Sequence, residues 1–313
     1  MHPAYSVIVF TTASGAGLGL MVWLSLGALF GLVPTGRWLG LAGFALAFAL
    51  LGGGLLASTA HLGRPERAWR AFSQWRTSWL SREGVLAVAT CVPAGILAAG
   101  WVFLQAAAGL FAATALLTAL SALATLYSTG MIYASLPTIR QWHQPLTAPV
   151  YVVLGLASGA VVANLLLALL GEPRRGAAWL AIALIALSAL LKWLYWLRID
   201  GEAREHTIEA ATGLGRLGRV RPLEPPHTQP NFVMREMGYR VARRHARRLR
   251  RLALVLAFAV PAAATLLSLA PGVGAAGALA ALVSMALGLL VERWLFFAEA
   301  EHVAMLYYGA EAA

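Results

Sequence analysis

Two titratable side chains, His61 and Glu83, bracket the segment HLGRPERAWRAFSQWRTSWLSRE within residues 58–84. A histidine changes charge near neutral pH, and a carboxyl group removed from water joins it in that range. Such a pair suits proton exchange with a bound organic molecule. Each residue is expected at a helix end, at the depth of lipid headgroups. A quinone ring favours the same depth, because its carbonyls are polar and its tail is not. Oxidising a quinol releases two protons and reducing a quinone takes up two, so a quinone site needs such groups. Arg64 and Arg82 are placed to balance a charge on Glu83. By spacing alone the plainer alternative, a capping histidine and an ion-paired glutamate, stands ahead.

Wound as an α-helix, the intervening residues put Trp69, Phe72, Trp75, Trp79 and Leu80 on one face. Arg67, Arg70 and Gln74 fall on the other. That pattern predicts an amphipathic helix lying in the membrane interface. Trp69 and Arg76 would lend supporting contacts to the site, and Arg76, on the aromatic face, needs a carboxylate, carbonyl or ring as partner. An ordinary aromatic belt with snorkelling arginines accounts for the tryptophans as well.

The elements that would hold these residues are membrane spans. Of 313 residues, 60% are hydrophobic and only 12% charged; globular water-exposed domains carry roughly twice that charge. Eight stretches reach the roughly 20 apolar residues a span needs: 5–33, 39–60, 84–106, 109–135, 148–171, 177–197, 252–270 and 273–297. The first is too long for the core of a cleaved leader and is expected to be retained. Pro93 and Pro261 fall inside spans and should kink them. The fold class is therefore all-α, an eight-helix membrane bundle read as one anchor domain over 1–313. No internal repeat stands out, and a diverged four-plus-four duplication stays open.

Two connections are long, 61–83 and 198–251. The 23 arginines divide unequally between the two sides of an eight-span chain. The side holding both termini and the long connections has nineteen; the other has Arg37, Arg174 and Arg175. Basic loops stay inside, so the termini are expected in the cytoplasm. Residues 206–232 read as extended or looped, and 235–251, with eight arginines, as helical. Arg243, Arg244, Arg247 and Arg248 are the candidates for docking a partner subunit; contact with anionic lipid is an equal and compatible reading. Nucleic-acid binding is not expected beside a membrane.

Cofactor chemistry is limited by what is missing. The single cysteine, Cys91, excludes a cluster or zinc site built on four thiolates in this chain. None of the seven histidines is expected mid-span, which opposes a bundle haem with two axial imidazoles. No metal site and no catalytic residue of a separate reaction are assigned.

The run HLGRPERAWRAFSQWRTSWLSREG, with the opening HPAYSVIVFTTASGAGLGL, resembles the membrane-anchor subunit family of dimethyl sulfoxide reductase. The likeness extends from residue 2 to about residue 100; beyond that it rests on the eight-span layout. It implies a haem-free anchor that binds menaquinone or ubiquinone. The implied partners are a four-cluster iron–sulfur subunit and a molybdopterin catalytic subunit, at a bacterial inner membrane. His61 matches the histidine of the family's HLGRP motif and Glu83 the glutamate of its SREG motif, both implicated in quinol binding. The insertion at 200–251 resembles the branch of quinone-linked sulfite dehydrogenases, whose catalytic subunits face the cytoplasm, and this branch is preferred over the dimethyl sulfoxide reductase type.

Glu292 and Glu299 lie on one stripe at the end of the last span. Residues 273–291 already suffice to cross a membrane, so both carboxylates are expected outside it, with a proton path the lesser reading. Lys192, at the end of its own span, is expected to snorkel. A secondary transporter and a cytochrome b-type anchor are the alternatives. The first is disfavoured by spans nearly free of ionisable residues away from their ends, the second by the histidines. The orientation can be checked with sealed vesicles: protease should cut the 206–232 segment in inside-out vesicles and spare it in right-side-out ones.

Overall fold

A computed structural model describes residues 3–204, 206–224, 226–238 and 241–313, with the backbone alone at 241–244. Eight helices are long and apolar enough to cross a membrane. They are α1 (Tyr5–Leu29), α2 (Arg37–Thr59), α3 (Trp79–Leu104), α4 (Leu110–Ala134), α5 (Thr147–Leu169), α6 (Arg175–Gly201), α7 (His245–Leu267) and α8 (Gly274–Ala298). No β-strand occurs among the described residues. Both chain ends and the long connections lie at one end of the bundle, called here the terminal face.

Two boundaries move inward from the sequence expectation. Helix α3 begins at Trp79 rather than 84, which draws Glu83 out of the connection and into the second turn of a span. The arginine-rich helix Val241–Leu254 runs without a break into the seventh span instead of stopping before it. The 61–83 connection is also not an α-helix. Residues Pro65–Gln74 form a 3₁₀ helix, with Pro65 at its start. Three residues per turn stack Trp69, Phe72 and Trp75 into one exposed ridge. Phe72 lies over Gly84, whose missing side chain leaves just room for the ring.

The packing repeats across the two halves. In the first half α1 lies against α2 and α4, and α4 against α3; in the second, α5 lies against α6 and α8, and α8 against α7. The halves meet through α1 on α5, α4 on α5 and α1 on α8. Pro93 in α3 and Pro261 in α7 fall on matching helices. The two halves thus share one contact pattern, the pattern that the four-plus-four duplication left open by the sequence would produce.

The centre of that arrangement is a crossing of glycines. Gly15 and Gly19 of α1 face Gly155 and Gly159 of α5, each pair spaced by four. A Cβ on Gly19 would sit 1.9 Å from the Gly155 carbonyl oxygen, and one on Gly159 would sit 2.2 Å from the Gly19 carbonyl carbon. Lipid supplies no hydrophobic pressure between helices, so they associate by close van der Waals packing, which small residues allow. The Trp23 indole donates to the Leu156 carbonyl at 2.8 Å and pins the same pair further along.

Pro261 acts as expected of an intramembrane proline. The helix widens to a π-turn at Val255–Ala259 just before it, absorbing the lost i−4 donor and the ring's clash. Ser284 of α8 donates to the Leu256 carbonyl at 2.8 Å. Gly288 lets that turn approach closely, since a Cβ there would meet the Ala257 nitrogen at 2.1 Å.

The packing makes a graded expectation. Gly19→Ala should lower the thermal stability of the purified protein sharply, because neither backbone can move away from the new methyl group. Gly53→Ala, at a position with nothing within 4 Å, should leave it unchanged or slightly raised. Melting curves in one detergent compare the two.

Candidate quinone site and buried charges

Glu83 is 4% exposed and points from α3 into its contact with α4. The Thr129 hydroxyl donates to its Oε1. The same interface is joined by Thr90 and Thr125, whose hydroxyl oxygens are 3.3 Å apart, and by the edge-on rings of Trp79 and Tyr127. No cation lies within ion-pair distance of Glu83 among the described residues. Arg82, expected to balance it, turns outward: its Nε donates to the Trp75 carbonyl at 3.0 Å and its Nη2 to the Arg76 carbonyl at 2.7 Å. Its guanidinium also covers the Trp79 ring at 4.3 Å. Arg82 therefore closes the turn that starts α3. Arg64 is exposed at the start of the 3₁₀ helix.

His61 lies in the exposed turn just after α2. No hydrogen bond or ion pair joins it to Glu83 among the described residues. Trp69 and Arg76 remain at the surface rather than against Glu83, and Arg76 finds its partner in the Trp75 ring, 5.4 Å away. The structure thus separates the predicted constellation into an inner carboxyl and an outer histidine, with the aromatic ridge beside them. The hydrogen bonds and ring contacts between α2 and α3 lie at the opposite face, where Trp101 donates to the Gly36 carbonyl at 3.1 Å and packs edge-on against Phe44.

A second group of charges escaped the sequence reading. Lys192, Glu292 and Arg293 are 1%, 0% and 3% exposed. Lys192 Nζ lies 2.5 Å from Glu292 Oε1, and Arg293 Nε lies 3.0 Å from Glu292 Oε2. The ammonium sits 4.1 Å from the Tyr195 ring centre, and the guanidinium covers Tyr151 at 3.8 Å. Lys192 does not snorkel, and Glu292 does not lie outside the bundle: α8 runs on to Ala298, so the carboxylate remains inside. Glu299, two turns further along, binds Arg250 Nε at 2.9 Å, and Arg250 also holds Asp200 at 2.6 Å. Two carboxylates that sequence placed on one stripe serve two separate clusters.

Arg250 therefore ties the start of α7 to the ends of α6 and α8. Of the proposed docking residues, Arg247 and Arg248 are exposed on the terminal face, while the side chains of Arg243 and Arg244 lie outside the described residues. Beside them the 136–147 connection is stitched to later segments. Tyr195 donates to the Gln141 carbonyl at 2.7 Å, Val303 to the Thr138 carbonyl at 3.1 Å, and Ala313 to the His206 carbonyl at 2.9 Å. His302, in this plate, has its pKa lowered chiefly by burial, and its Nδ1 accepts from the Ala304 amide.

Comparison with known proteins gives the same assignment as the architecture. The model of the DMSO reductase anchor subunit family (DmsC) matches residues 1–216. The chain belongs to that family. It is also 37% identical, over the whole of both chains, to a sulfite dehydrogenase subunit of Allochromatium vinosum. The protein is therefore a membrane-embedded anchor subunit of an oxidoreductase complex. The family match reaches beyond the first hundred residues that carry the sequence resemblance, through α6 and the start of the long connection.

The buried cluster has a measurable signature. Removing one partner of a buried pair leaves an unpaired charge and costs about 3–5 kcal/mol. Glu292→Gln strands two cations and should destabilise the protein by about that amount. Lys192→Met leaves the Glu292–Arg293 pair and should cost clearly less. Thermal inactivation of the two variants in a common detergent gives the order.

Proposed function

We propose that the chain is the quinone-reactive anchor of a complex that oxidises sulfite. It would pass electrons from an iron–sulfur subunit to menaquinone or ubiquinone in a bacterial inner membrane. The observation that carries the reading is Glu83: a carboxyl group buried at the terminal-face end of a span, held by a hydroxyl and balanced by no nearby cation. A group so placed is suited to exchange a proton rather than to brace the fold. The exposed Trp69–Phe72–Trp75 ridge beside it offers a quinone ring an amphipathic floor at headgroup depth.

Reducing a quinone requires two electrons and two protons. Sulfite oxidation in a molybdopterin partner would release the electrons, and a four-cluster iron–sulfur partner would deliver them at the terminal face. His61, on the exposed side, donates a proton at one quinone oxygen and regains it from solvent. Glu83, on the inner side, serves the other oxygen. Arg247 and Arg248, with the stitched plate beside them, form the surface where the iron–sulfur partner docks. Electrons then never need to cross the roughly 30 Å hydrocarbon core. The sulfite preference rests on full-length similarity to a protein of a sulfite dehydrogenase, while the dimethyl sulfoxide reductase type, suggested by the family description, runs the same site in reverse. The cytoplasmic placement of the terminal face follows from the arginine count, and the haem-free reading from the histidines.

Glu83→Gln and His61→Ala should each reduce quinone-coupled sulfite oxidation by about 10²-fold or more, the usual scale for a lost general acid–base group. Oxidation with a soluble artificial acceptor should continue at the normal rate, since it bypasses the anchor. Normal quinone kinetics in both variants would refute the site. A complex that oxidises no sulfite with either acceptor would refute the substrate.

A further inference from the structure

Behind Thr129, where α1, α4, α5 and α8 converge, lies a small chamber of about 20 Å³. That is room for one water molecule. Its walls are polar on all four helices: Thr11 and Ser14 from α1, Thr129 from α4, Tyr151 and Ser158 from α5, and Arg293 from α8. The hydroxyl protons of Thr11, Ser14 and Ser158 are committed to carbonyls of their own helices, at 3.0, 2.6 and 2.9 Å. Their oxygens therefore offer only lone pairs to the chamber. Tyr151 Oη and Arg293 Nη1 are buried within reach of each other, and Tyr151 within reach of Tyr133, but neither makes a well-aligned hydrogen bond among the described residues. Two loosely held donors thus share a space with acceptors, in a volume that fits a water molecule. Buried donors without a good acceptor are costly, and a water molecule relieves that cost.

We propose that this chamber holds a water that passes protons to and from Glu83 through the Thr129 hydroxyl, an inference that rests on Glu83 being the inner proton group of the quinone site. Thr129 Oγ1 has one proton and two acceptors, Glu83 Oε1 and the Thr125 carbonyl at 3.1 Å. While it donates to Glu83, a lone pair is free for the water. Arg293 and Tyr151 bind the water through its oxygen, which turns its hydrogens toward the hydroxyl oxygens. A proton coming from the terminal face is passed on in one concerted shift: the water gives a hydrogen to Thr129 Oγ1 as it takes one up, and the proton already on Thr129 moves to Glu83. One O–H bond forms at the carboxyl, the water and Thr129 each gain one and lose one, and the water beside Arg293 never carries the excess charge. Quinol oxidation drives the same exchange backward. Solvent at the terminal face is about 10 Å away along α1, some seven residues at 1.5 Å each. Thr129 and Arg293 hold matching places on α4 and α8, helices that occupy corresponding positions in the two halves. One half of the molecule supplies the carboxyl, the other the charge that orients its water.

The test uses the assembled complex in native membranes, comparing Thr129→Val, Thr129→Ser, Tyr151→Phe and Glu83→Gln. Valine keeps the shape of threonine and removes the hydroxyl. Thr129→Val should lower quinone-coupled turnover about 10-fold, a fraction of the general acid–base effect, with artificial-acceptor activity intact. Thr129→Ser should restore most of it, and Tyr151→Phe should lose a few-fold. The relay is overturned if Thr129→Val stays within about twofold of the parent while Glu83→Gln is inactive. It is equally overturned if Thr129→Ser loses as much as Thr129→Val, which would mark a packing role. A fully active Glu83→Gln would instead remove the Glu83 reading, and the relay with it.

Discussion

Helices in a bilayer gain nothing from escaping water against one another, so this bundle depends on how closely two backbones can approach. The crossing of Gly15 and Gly19 with Gly155 and Gly159 supplies that approach. With α1 and α5 locked at their centre, α4 and α8 take equivalent seats beside them, and α3 and α7 pack outside those. Each later feature inherits its position from this contact. Thr129 and Arg293 meet across a chamber because their helices flank the same pair. Glu83 is buried because α3 packs chiefly on α4, and Thr129 is the residue it meets there.

The bilayer imposes a second condition, that polar groups inside be satisfied from inside. Different parts of the chain meet it differently. Lys192 and Arg293 share the Glu292 carboxylate and spread the remaining positive charge over the faces of Tyr195 and Tyr151. The π-turn at 255–259 is supported by Ser284. Glu83 alone among the buried carboxylates described has a hydroxyl in place of a cation. On the function proposed above, that difference separates a structural charge from one able to change. Arg82, though adjacent in sequence, is bound to carbonyls at the surface.

The spans were legible because length and apolarity are local properties, and all eight were expected near where they lie. The glycine crossing was present in the sequence as two four-residue spacings, yet a spacing does not say which helix it faces. The Lys192–Glu292 pair was illegible for a related reason. Its members are a hundred residues apart, and the apolar run 273–291 was already long enough to satisfy a membrane. Counting stopped just before Glu292, whereas the helix continued. Glu83 and His61 were singled out as titratable groups at a helix end, but the boundary was drawn after Glu83 because Trp69, Trp75 and Trp79 read as one interfacial face. The break at Pro65 and the 3₁₀ winding assign Trp79 to the span instead, and Glu83 goes inward with it.

The glycine crossing also has a consequence for biosynthesis. Gly15 and its partner Gly155 are separated by 140 residues, so at about 5–20 residues per second the ribosome needs roughly 7–28 s between them. Throughout that interval α1 stands in the membrane with its narrowest face open to lipid or to whatever insertion factor attends it. The first half can close α2, α3 and α4 around α1 while it waits, but the groove meant for α5 stays vacant. Completion of the bundle is then a docking of two preassembled halves, and the fourth-to-fifth span loop sets how far the second half can stray before it finds the first.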